Sequence, residues 1–177
     1  GLLLTWWNGG GILLIGLASL LAGWLYSAGS RPLSHTPWGE SCVLLFFGLV
    51  AVAGSCFLQT GRFSALALAF GVVPGLYAAA VLLVNNTRDL VQDRRGRQRA
   101  QQLYAVFLLL PFALLLPLAG ALGQPWLGAV PLVLVPMAIM LIRRFGQREG
   151  RALNQQLKDT ARLQALLCAV LLGCLLV

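Results

Sequence analysis

Apolar residues group into six runs along the chain, at 9–26, 41–58, 63–84, 103–123, 125–142 and 163–177. A helix that crosses a bilayer needs about 20 mostly apolar residues, within a range of about 17–25. The runs therefore predict an all-α membrane protein with six transmembrane helices. The third continues into Asn85 and Asn86, and the sixth is short. Residues 1–4 read as the stub of an earlier span, which places Trp6 and Trp7 at an interface that favours amphipathic rings. Prolines interrupt several runs, at Pro74, Pro111, Pro117, Pro131 and Pro136. In a packed membrane bundle, neighbouring helices can satisfy the backbone groups that proline frees. Gly11, Gly16 and Gly23 are expected to let helices approach closely.

The polar connections alternate in charge. Arg31 lies in the first, with His35 and Glu40, and only Arg62 in the second. Arg88, Arg94, Arg95, Arg97 and Arg99 fall in the third, and the fourth has no charge. Arg143, Arg144, Arg148, Arg151, Lys158 and Arg162 fall in the fifth. One side of the membrane thus collects twelve of the thirteen Lys and Arg. The positive-inside rule makes that side cytoplasmic, so a multi-pass protein of the cytoplasmic (inner) membrane is expected. The stretch 143–162 reads as a solvated, amphipathic connecting helix on that surface.

Composition supports lipid as the solvent. The 177 residues are 59% hydrophobic and 10% charged, whereas soluble domains carry about 25% charged residues. A net charge of +8 would suggest nucleic acid on a soluble protein. Here topology already accounts for the basic residues, and no nucleic-acid partner is expected. Cys42, Cys56, Cys168 and Cys174 lie in apolar runs without a Cys-x-x-Cys pair, so they read as buried small hydrophobes. The chain starts at Gly1 with no basic segment ahead of the first run, so no signal peptide is expected and the start reads as internal.

Two stretches carry chemistry. Asn85, Asp89 and Asp93 are spaced by four residues at the end of the third run. On a helix they share one face and present oxygen donors to one cleft. Acids beside a spanning segment are functional candidates, and hard oxygen donors at this spacing suit Mg²⁺ with a phosphate-bearing substrate. Spacing alone equally allows a helix end where Asp89 and Asp93 balance Arg88, Arg94 and Arg95. The second stretch is Tyr26-SAGSRPL-Ser34, whose one strong cation, Arg31, falls on the same side as the ladder by charge alternation. It suits a diphosphate, or serves as a plain cytoplasmic anchor.

These stretches, with Gly39-Glu40-SCVLLFFGLVAVAGSCFLQT-Gly61 and Asn85-NTRDLVQDR-Arg95, resemble the UbiA-type membrane prenyltransferases. The likeness is strongest to the branch that prenylates 1,4-dihydroxy-2-naphthoate in menaquinone synthesis. It implies a nine-helix bundle in which two Asp-rich motifs hold Mg²⁺ against a polyprenyl diphosphate. The chain then supplies helices four to nine, as a single prenyltransferase-like domain over 1–177. The three preceding helices, and the first motif with them, are expected to be missing. The family's Gly-Lys-x-Thr-Leu stretch after the second motif is also missing, since Arg95 passes almost directly to Gly96-RQRAQQLY-Ala105. The resemblance assigns Asn85, Asp89 and Asp93 to metal; from their positions beside that motif, Arg31, Arg88 and Asn86 are the diphosphate candidates, with Arg88 equally able to pair with a neighbouring Asp. Arg31 and, more weakly, Tyr26 are the catalytic candidates, Tyr26 reading equally as an interface-belt tyrosine; the resemblance implies a naphthoate as aromatic acceptor, with the isoprenoid tail held in the bilayer. Arg97 is a poor substitute for the family's phosphate-binding lysine. The alternatives are a transporter or channel subunit, with the acids on a cation path, and a non-catalytic remnant of a prenyltransferase.

Overall fold

The computed structural model describes residues 6, 10–28, 36, 38–89 and 94–176. Every regular element among them is helical. We number six helices: α1 (Gly10–Ser27), α2 (Gly39–Thr60), α3 (Ala65–Asp89), α4 (Arg94–Leu122), α5 (Trp126–Gln147) and α6 (Leu153–Leu175). Each matches one of the apolar runs. Among the described residues, four helices are long and apolar enough to cross a membrane: α2, α3, α4 from Arg95, and α5. The apolar stretch of α1 is shorter, Leu13–Trp24, and α6 is polar through Arg162 before its apolar second half. Leu14, Leu20, Phe47, Val133 and Leu172 stand largely exposed. So much outward aliphatic surface suits contact with lipid, and the chain is a multi-pass membrane protein.

The chain divides into two compact units, 1–75 and 76–177, with the division inside the continuous helix α3. In the first unit, α2 meets the start of α3 through glycines. A Cβ placed on Gly48 would stand 2.5 Å from the Gly71 carbonyl oxygen and 2.7 Å from the Gly75 Cα. Gly71 and Gly75 are four apart on α3, the small-residue spacing that lets membrane helices touch backbone to backbone. Gly48 lies in a π-helical segment of α2, Leu44–Val50. The close approach expected at Gly11, Gly16 and Gly23 is not found, because a Cβ on any of them meets nothing within 4 Å. α1 lines an open cavity there instead of closing on a neighbour. Gly61 (φ 69°) ends α2 in the left-handed conformation that glycine adopts without strain, with its N–H on the Phe57 carbonyl at 2.8 Å.

The second unit packs α4, α5, α6 and the end of α3 around Tyr77, Tyr104, Leu108, Leu127, Leu141, Phe145, Leu163 and Leu167, all buried. Pro131 and Pro136 shape α5. Each lacks an N–H, and between Val130 and Leu134 the helix tightens to 3-10 geometry before resuming at Val135. The stretch 143–162 is not one surface helix. α5 ends at Gln147, Gly150 turns the chain (φ 53°), and α6 begins at Leu153. Phe145, Leu153, Gln156 and Thr160 within that stretch are buried, so it contributes to the core. All four cysteines are free; Cys174 is buried as expected, whereas Cys168 is exposed.

Candidate functional site

Helix α3 carries the ladder into its last turn, so Asn85 and Asp89 fall one above the other. The Asn85 Nδ2 donates to Asp89 Oδ2 at 3.2 Å. Arg88 closes the group. Its Nε donates to Asp89 Oδ1 at 2.7 Å and its Nη2 to Asp89 Oδ2 at 2.9 Å, a fork that fixes the carboxylate plane. The same Nη2 donates to Asn85 Oδ1 at 2.8 Å, and Nη1 donates to Asn154 Oδ1 on α6 at 2.7 Å. One guanidinium thus ties together two turns of α3 and the first turn of α6. The Asp89 side chain is 41% exposed and that of Arg88 is 30% exposed, so the group opens to the surrounding medium. Asn86 and Thr87 are buried on the same turn, and the Thr87 hydroxyl bonds back to the Leu83 carbonyl at 2.7 Å.

Asp93 and Arg31 lie outside the described residues, as does His35. Among the described residues no three His, Cys, Asp or Glu side chains converge. The donors in view are the Asn85 carbonyl oxygen and the Asp89 carboxylate, hard oxygens one turn apart on an accessible helix end. Their chemistry fits a divalent cation of the Mg²⁺ type, which takes one or two carboxylates and keeps several other ligands. Tyr26 belongs to the first unit, where it lines an apolar cavity of ≈ 690 Å³ between α1 and α2 with Ser19, Cys42, Phe46 and Ser55. Arg97 is engaged elsewhere, its guanidinium donating to the Arg148 carbonyl and facing Glu149 at 3.8 Å.

Behind the ladder end of α6 lies a polar network that the apolar runs did not disclose. Gln156 is fully buried and donates from Nε2 to the Tyr104 hydroxyl (2.9 Å) and to the Leu141 carbonyl (2.8 Å). Its Oε1 accepts from Arg148 Nη1 at 2.9 Å. Tyr104 and Thr160 share a hydrogen bond of 2.6 Å. Arg148 also reaches Asp159 at 3.2 Å, and Gln155 donates to the other Asp159 oxygen at 2.8 Å. Burial alone would raise the Asp159 pKa. The Gln155 hydrogen bond, Arg148 and Arg162 outweigh it and hold the carboxyl below its ordinary value. The signal for this network was the stripe 153, 156, 160, 163, 167, 171 and 174 at helical spacing, with Gln and Thr in place of two leucines.

Helices of spanning length, with oxygen donors and a forked arginine at one helix end, define a membrane protein with a polar site at the edge of its apolar body. Residues 1–166 match the UbiA prenyltransferase family, and the chain belongs to that family. It is 34% identical over 172 residues to the 1,4-dihydroxy-2-naphthoate octaprenyltransferase of Mycobacterium tuberculosis, covering 90% of this chain and 58% of that protein. It is 31% identical over 157 residues to the protein of the same name in Bacillus subtilis, covering 82% of this chain and 49% of that one. A UbiA prenyltransferase domain-containing protein 1 homolog of Drosophila melanogaster is 29% identical over 160 residues, 85% of this chain and 43% of that protein. The chain spans about half the length of the curated relatives it matches. No solved structure matches it.

Proposed function

We propose that this chain is part of a Mg²⁺-dependent aromatic prenyltransferase that moves a polyprenyl chain from an allylic diphosphate to 1,4-dihydroxy-2-naphthoate. The observation that carries the reading is its similarity, over most of its length, to relatives named for that reaction. The oxygen ladder on α3 supplies the matching chemistry. In this reading α1–α6 correspond to helices four to nine of a nine-helix bundle, and both compact units belong to one domain. The ladder end of α3 faces the cytoplasm, on the strength of the charge alternation.

Asn85, Asp89 and Asp93 are the proposed metal ligands. A bound Mg²⁺ supplies Lewis-acid neutralisation of the departing diphosphate. Arg88 holds the Asp89 carboxylate and the Asn85 amide in register through the fork described above. Its fixed positive charge favours the diphosphate as negative charge accumulates on the leaving oxygen. Asn86 and Arg31 are further diphosphate candidates, and Arg31 and Tyr26 are proposed catalytic residues on their place in the first loop of the sequence. The electron-rich naphthoate ring attacks the allylic carbon as that carbon's bond to the diphosphate oxygen breaks, and the substituted ring carbon then loses its carboxylate as CO2, which restores the aromatic ring.

The test uses the full-length protein with a series of prenyl diphosphates and with both naphthoate and 4-hydroxybenzoate acceptors, with and without Mg²⁺. Prenylated naphthoate should form only with the metal. Asp89→Asn should lower turnover by about 10²–10³-fold, the scale of losing one preorganised electrostatic contact. Near-normal turnover in that variant removes the metal role, and transfer to 4-hydroxybenzoate alone removes the acceptor assignment.

A further inference from the structure

The second unit has few acids, and those described are engaged by particular arginines. Asp89 is forked by Arg88, Glu149 faces Arg97, and Asp159 meets Arg148 and Arg162. Arg143 and Arg144 stand exposed at the end of α5, and no carboxylate among the described residues pairs with either. The chain carries a net charge of +8, and among the described residues these two guanidiniums are left for an anion to meet.

The surroundings of the pair indicate its source. Pro136, Ile139, Met140, Arg143, Arg144 and Gln147 line one surface cavity of ≈ 510 Å³. Their spacing of three and four residues makes them a single stripe on one face of α5. The stripe is graded: Pro136, Ile139 and Met140 are apolar, the latter two 39% and 40% exposed, and the two guanidiniums follow one turn later. α5 is of spanning length, so its basic end falls at headgroup depth while its apolar part lies among acyl chains.

We propose that this stripe is a binding site for an anionic phospholipid. The headgroup phosphodiester sits on Arg143 and Arg144, whose planar donors match phosphate oxygens in pairs. One acyl chain lies along Met140, Ile139 and Pro136. A soluble phosphate would use only the cationic end and gain nothing from the apolar half. A zwitterionic lipid would use the apolar half but bring an ammonium group toward the arginines. The site shares no residue with the ladder, so it stands independently of the assigned reaction.

Native mass spectrometry of the full chain tests this, with phosphatidylglycerol and phosphatidylcholine of identical acyl chains supplied in equal amounts. Wild type should retain phosphatidylglycerol over phosphatidylcholine by at least about tenfold, as expected for two arginines near an anionic headgroup. R143Q/R144Q should bring that ratio to near one. R151Q/K158Q removes the same charge elsewhere and should leave the ratio as in wild type. Equal retention of the two lipids by wild type overturns the proposal without any variant. Equal loss in the two double variants also overturns it, as does displacement of phosphatidylglycerol by an equal concentration of inorganic phosphate.

Discussion

Replacing Gly48 by alanine adds one methyl group where two helix backbones touch. The new carbon would lie 2.5 Å from the Gly71 carbonyl oxygen, 2.7 Å from the Gly75 Cα and 3.1 Å from the Gly75 nitrogen. All three are backbone atoms, so no side-chain rotation relieves the overlap and α2 must move away from α3. Overpacking of this kind costs about 1–3 kcal/mol. Alanine returns up to about 1 kcal/mol in intrinsic helix preference. The net expectation is a loss of about 1–2 kcal/mol, which lowers the folded-to-unfolded ratio roughly 5–30-fold. Two companions calibrate it. A Cβ on Gly54 meets nothing within 4 Å, so Gly54→Ala should stabilise by about 0.5–1 kcal/mol. The three atoms nearest a Cβ on Gly146 all belong to the amide end of Gln101, the closest at 2.6 Å, and that flexible side chain can swing aside, leaving a change near zero. Reversible unfolding in mixed micelles, followed by tryptophan fluorescence, gives the order directly. If Gly48→Ala is as stable as Gly54→Ala, the backbone contact between α2 and α3 is not what holds that pair together.

Two further expectations concern the buried polar network. Tyr104→Phe leaves Gln156 Nε2 and the Thr160 hydroxyl without a shared partner and should cost about 1–3 kcal/mol in the same micelle assay, whereas a neutral change would mean the hydroxyl contributes nothing. Asp159 is held below the ordinary carboxylate range, so its contribution to stability is complete above that range and is lost as pH falls through the lowered folded value. An acid titration of stability should therefore fall less steeply in Asp159→Asn than in wild type, and identical curves would refute the linkage.

The six helices were legible because each apolar run became one helix, but of the six expected spans only four are long and apolar enough to cross a membrane among the described residues. Helix beginnings were less legible. α4 starts at Arg94 and α6 at Leu153, each nine or ten residues before its apolar run, because polar turns extend these helices. Glycines misled for a related reason. Gly11, Gly16 and Gly23 resemble packing glycines in sequence, yet close approach depends on which helix lies opposite, and among the described residues of the first unit it is Gly48, Gly71 and Gly75 that face one another. The i, i+4 pairing of Asn85 and Asp89 follows from helical geometry and was readable. The hydrogen bond from Arg88 to Asn154 was not, since the partners lie 66 positions apart and only the fold brings α6 to the end of α3.

Gln156 and Thr160 bear on how the protein is made. Their partners, Tyr104 and the Leu141 carbonyl, lie on α4 and α5, which leave the ribosome before α6. Buried without them, the Gln156 amide would have no partner for its donors. Because α4 and α5 precede α6 in the chain, these partners are synthesised before the residues that use them. A circular permutant that delivered α6 first would leave Gln156 waiting for Tyr104 and the Leu141 carbonyl until α4 and α5 followed.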